Sequence, residues 1–121
     1  MRGLFLNGAI LTAIVMTATP AAAGGGSLDK DLIRRVVRAH IPEIRVCYNE
    51  GLQRDPQMAG KLMVDFEIST SGEVSRSEIA SSTMNDAKVE ACVAATVKRW
   101  LFPRPDGGSL EVSYPFEFEP G

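Results

Sequence analysis

The run from Gly60 to Pro103 limits the fold of this chain more than any other segment. Leu62, Val64, Phe66 and Ile68 alternate with polar residues, the period of two expected for a strand buried on one face. Ser71-Gly72 supplies a tight turn, where Gly72 can take a positive φ. A second, more polar strand is expected from about Val74 to Ser82. Val89, Cys92, Val93, Thr96, Val97 and Trp100 then recur at helical spacing, so a helix capped by Asn85 or Asp86 should run to about Arg99.

The flanking segments complete a small unit. Downstream, Pro103 to Gly108 reads as a loop, and Leu110, Val112, Tyr114, Phe116 and Phe118 alternate with polar residues as a last strand. Pro115 cannot donate to a ladder, so this strand belongs at an edge or turns that nitrogen outward. Upstream, Asp29 is a good N-cap and Leu28 is placed to staple against Ile33. Ile33, Val36, Val37, His40, Ile41, Ile44, Cys47, Tyr48 and Leu52 form a sustained helical stripe. Pro42 interrupts it without changing its phase, which predicts one kinked helix or two nearly continuous ones. The expected architecture is α+β, with two helices packed on one face of a three-stranded antiparallel sheet.

At 121 residues the chain has room for one domain, and residues 1–23 should not be part of it. Met1-Arg2 gives a positive start, Leu4 to Ala18 is mostly apolar, and Ala21-Ala22-Ala23 offers small residues for cleavage. The alternative is a retained anchor, but about 15 residues of helix reach only about 22 Å against a hydrocarbon core of roughly 30 Å. The reading is a signal peptide over 1–23, a short flexible spacer over 24–27 and a folded domain over 28–121. It predicts an exported, periplasmic protein with no membrane span after cleavage.

The full chain carries 13 basic and 15 acidic side chains, and cleavage would remove only Arg2. An acidic balance argues against nucleic acid as a partner, because phosphate contacts need a basic surface. Cys47 and Cys92 are not a CxxC pair and are too few for a structural zinc site. Each lies on the apolar stripe of a different helix. In an oxidising compartment a disulfide between them is expected, with two buried thiols as the alternative.

Together these residues resemble a known family. Gly60, Leu62, Val64, Phe66, Ile68, Gly72, Val74, Ser81-Ser82, Lys98-Arg99-Trp100, Phe102 and Pro105 follow a pattern similar to the TonB C-terminal domain. Ile33 to His40, Arg45-Val46-Cys47-Tyr48-Asn49-Glu50 and Glu90-Ala91-Cys92-Val93 resemble the AgmX/PglI C-terminal domain, a TonB-like branch linked to gliding motility. The resemblance covers roughly residues 28–120. It implies a periplasmic protein–protein module that holds an extended peptide by adding a strand to its sheet. A TonB transducer also needs a retained anchor and a long proline-rich stretch, whereas four spacer residues stand before this domain. The binding fold is implied, and the transducer's task is not.

Few residues suggest chemistry. His40 and Cys47 share a helix face but stand seven residues apart, about 10.5 Å along the axis and beyond hydrogen-bond reach. A packed or boundary histidine is the plainer role, and core packing is the plainer role for Trp100 and Tyr48. Ser81-Ser82-Thr83 has no base to activate it. No nucleophile–base pair, metal cluster or phosphate loop appears, so a non-enzymatic protein without cofactors is expected. Charge is more informative, because the helices are basic while the strands and hairpin turn carry seven acids against Lys61 and Arg76. Asp65, Glu67, Glu111, Ser113, Glu117 and Glu119 therefore mark a candidate partner-binding sheet face or edge. The expected partner is an envelope protein or peptide. A self-assembling structural envelope component, a homo-oligomer joined through its two charged faces, is the alternative.

Overall fold

The computed structural model describes residues 25–120. Residues 1–24, which include the expected signal peptide and Gly24 of the expected spacer, and Gly121 lie outside the described residues. The elements are α1 (Lys30–Ala39), α2 (Ile41–Arg54), β1 (Gly60–Ile68), β2 (Val74–Ser82), α3 (Ala87–Lys98) and β3 (Leu110–Phe118). The fold is α+β, with three helices where two were expected. Pro42 explains the difference: it sits in the first turn of α2, where its missing N–H is not needed, and His40 caps both neighbours. Of the two outcomes left open for that stripe, two successive helices is the one found.

The sheet is antiparallel with order β2-β1-β3, which places β1 at its centre and makes β3 an edge. Leu62, Val64, Phe66 and Ile68 are fully buried on its inner face. They share one core with Ile33 and Val37 of α1, Ile44, Cys47 and Tyr48 of α2, Val89, Val93 and Val97 of α3, and Phe116 and Phe118 of β3. Burying such side chains contributes roughly 1.5–3 kcal/mol each, so this cluster is the main stabilising term. Trp100 follows α3 and is almost wholly buried, with its ring 4.9 Å from His40 and 6.5 Å from both Phe102 and Phe116. Its indole N–H donates to Glu43 Oε1 at 3.1 Å, which satisfies the one polar atom that burial would otherwise strand. Core packing is its role.

Two glycines are required by close backbone approach. Gly72 has φ +92° in the β1–β2 turn, and a Cβ there would stand 2.2 Å from the Phe102 carbonyl oxygen. That approach lets the Phe102 N–H donate to the Gly72 carbonyl, tying the turn to the segment after α3. Gly26 donates to the Ser109 carbonyl, and a Cβ on it would meet Gly108 O at 2.0 Å. Ser27 and Asp106 exchange backbone hydrogen bonds beside it, so the last two spacer residues are fastened to the loop that leads into β3.

A disulfide joins Cys47 on α2 to Cys92 on α3, across a sequence separation of 45. A second tie joins the same helices at their ends. Asp86 caps α3 by accepting from the N–H groups of Lys88 and Val89, while the Arg54 guanidinium in the last turn of α2 donates to both its oxygens. The Val89 N–H, and after it the Arg54 guanidinium, hold this carboxyl below the usual aspartate range against the opposing effect of partial desolvation. A carboxyl more acidic in the folded state stabilises at neutral pH, and that contribution is lost as pH falls below about 4. Asp86→Asn should therefore show a shallower loss of stability between about pH 5 and pH 2 than the parent chain in urea titrations. Parallel curves would mean that Asp86 does not carry this linkage.

Candidate functional site

The inner residues of the sheet are buried in the core, so a binding site has to be sought at the edges and on the outer face. The two edges differ. Pairing of β1 with β2 shifts register between Met63 and Val64 and again between Glu67 and Ile68, leaving Ala80 and Ser75 as extra residues on β2. Such bulges bend a strand and spoil an edge as a template. The β1–β3 ladder instead runs without a shift from Gly60↔Phe118 to Ile68↔Leu110. Met63↔Pro115 falls inside that unbroken ladder, so the donorless Pro115 nitrogen belongs on the outer side. Strand parity then turns the backbone groups of Glu111, Ser113 and Glu117 outward as well. The Ser109 carbonyl, two residues before Glu111, follows the same parity and accepts from Gly26.

A groove follows this edge. Its first part, a cleft of about 500 Å³, has Leu28, Lys30, Ile33 and Arg34 on one side and Leu110 to Pro115 on the other. Its second part, about 540 Å³, lies between one face of α2 (Ile41, Ile44, Arg45, Tyr48, Asn49 and Leu52) and the stretch from Phe116 to Glu119. Lys30, Ile33 and Arg34 stand at positions i, i+3 and i+4, which is why one face of α1 supplies them all. Val112 and Tyr114 are only half-buried, giving the first cleft an apolar floor. The second is closed at its base by Tyr48, whose ring lies 4.9 Å from Phe118 and whose hydroxyl donates to the Met58 carbonyl. Burial pushes the Tyr48 phenol above its ordinary value, so it stays a neutral donor.

The residues singled out from sequence fall on the central strand and along β3 beside it. Asp65 and Glu67 stand on β1, half-buried on the outer face, and Glu111, Ser113 and Glu117 stand beside them on β3. Glu119 lies just past the end of β3, exposed, at the rim of the second cleft. Register sets Asp65 beside Ser113, whose hydroxyl donates to Asp65 Oδ1 at 2.6 Å. Glu67 accepts from Ser75 at 2.7 Å and from Ser109 at 3.3 Å. Glu67 and Glu111 are directly opposed, as are Asp65 and Glu78. Arg76 sits among them and donates to both Glu78 and Glu111, whose oxygens raise its pKa and fix its charge. Lys61 reaches Glu117 at 3.7 Å. Among the described residues Asp65, Glu67, Glu78, Glu111 and Glu117 thus meet Lys61 and Arg76 on this face, and the balance is acidic.

Sequence reasoning missed the groove wall. Lys30, Arg34 and Arg45 counted only toward the basic balance of the helices, yet they line the clefts that face β3. The available signal was their position at the flank of the apolar stripe rather than opposite it. Other candidates fall to structural roles. Cys47 is held in the disulfide and His40 packs on Trp100, with its Nδ1 2.7 Å from the Val36 carbonyl. Among the described residues no group of His, Cys, Asp and Glu is arranged to hold a metal ion, and no helix is long and apolar enough to cross a membrane. Comparison with protein-family models, with curated proteins and with solved structures returns no match.

Proposed function

We propose that this chain is a non-enzymatic protein–protein interaction module of the TonB-like, AgmX/PglI type, acting in the periplasm and holding an extended partner segment along the outer edge of β3. The observation that carries this reading is the nine-pair unshifted β1–β3 ladder with a groove along its free side. An added strand would satisfy outward backbone groups of Glu111, Ser113, Pro115 and Glu117 and drop alternate side chains into the groove. The bulges of β2 favour β3 over the opposite edge. The disulfide supports an oxidising compartment. Envelope transport or gliding-motility machinery is the setting that the family resemblance supports.

The reading is tested with peptides selected from a random library by the oxidised protein. Ser113→Pro removes an outward N–H without touching the ladder to β1, and should weaken the selected peptides by at least about tenfold. Ala80→Lys, at a β2 bulge, should leave their affinity unchanged. Unaltered binding by a folded Ser113→Pro protein would remove β3 as the docking edge.

A further inference from the structure

We propose that the β3 edge reads charge: it takes a partner segment with apolar side chains toward the groove and Lys or Arg on the outward side, and it turns away a second copy of itself. This rests on β3 being the docking edge. Side chains of an added strand alternate between two environments. One set enters the groove, over Leu28, Ile33, Val112 and Tyr114. The other set lies on the outer face, next to Glu111, Ser113, Pro115 and Glu117.

The outer environment is acidic on balance, with more carboxylates than cations among the described residues. Glu117 keeps 70% of its side chain exposed and meets Lys61 at 3.7 Å, itself 59% exposed. Glu67, Asp65 and Glu78 stand in the adjoining rows, and Arg76 is occupied by Glu78 and Glu111. A cation at an outward position gains from this field, and an anion is repelled by it.

The same row acts against self-pairing. Two β3 strands set antiparallel about Tyr114 would place Glu111 of each beside Glu117 of the other, like charges at both ends of the pairing. Pro115 withholds a donor from the middle of that edge. Charged residues and proline are the means by which open edges avoid joining to one another.

The test uses three capped peptides of about nine residues with the same apolar side chains at alternate positions and Lys, Ser or Glu between them. Anisotropy titrations of the oxidised protein at about 50 mM salt should rank them Lys, Ser, Glu, with about tenfold between first and last. The spread should narrow at about 500 mM salt, where the screening length falls to a few ångströms. Glu117→Lys should shrink or reverse the ranking. It should also make the protein dimerise in sedimentation equilibrium, since the introduced ammonium would then face Glu111 across the self-paired edge. Equal affinities that all fall with Ser113→Pro would overturn the charge reading and leave the docking edge standing. Binding of none of the three, or a wild-type dimer with β3 protected, would overturn both.

Discussion

Removing the disulfide, as Cys47→Ala with Cys92→Ala or by reduction, is expected to lower stability by about 4 kcal/mol in the chain-entropy treatment of a loop of this length. Domains of this size typically have about 5–15 kcal/mol in total, so the loss should show as a large fall in the urea midpoint. The consequence reaches the groove. Cys47 lies on α2 between Ile44 and Tyr48, which line the second cleft, and Cys92 lies on α3, which packs on the sheet. The bond therefore fixes a groove wall to the body that carries β3. Peptide affinity should fall along with stability in the reduced protein. Unchanged midpoints with and without reductant would show that packing alone holds α2 in place.

Phe66→Ala is expected to cost about 3–5 kcal/mol. Phe66 is wholly buried at the middle of the central strand, opposite Val112 on β3 and Ser77 on β2, with its ring centre 5.5 Å from that of Phe102. Truncation would leave a cavity under the point where α3, the turn segment and both ladders meet, and interlocked strands close such a space poorly. In the reduced background the two losses should together approach the whole stability of the domain, so the doubly altered protein should be largely unfolded by circular dichroism at about 25 °C. A loss near about 1 kcal/mol would indicate a core that collapses readily around the site.

Local pattern made much of this fold legible. The alternation at Leu62, Val64, Phe66 and Ile68 placed β1, because each of those side chains is buried and each neighbour is not. Asp29 and Asp86 were recognisable caps, since an Asp just before an apolar period satisfies orphan N–H groups whatever the tertiary setting. Pro42 announced a break but not its form. A kink and a fresh helix start differ only in the backbone of one residue, His40.

The candidate site was legible only in part. The acidic row on β3 followed from alternation, and Pro115 pointed to an edge. The groove depends on how far α1 and α2 stand from β3, a distance set by Trp100 wedged between His40 and Phe116 and by the tie of Gly26 to Ser109. No local period encodes such a spacing. The bulges at Ser75 and Ala80 were equally silent, as neither is marked by glycine or proline. Without them the two edges of the sheet could not be ranked.

Hydrogen–deuterium exchange at single-residue resolution, on the oxidised protein with and without a selected peptide, tests the docking edge most directly. Slowed exchange at the amides of Glu111, Ser113 and Glu117, with little change at Val112, Tyr114 and Phe116 that already face β1, is the expected result. Protection confined to β2 or to the helices, with the β3 amides exchanging as in the free protein, would contradict it.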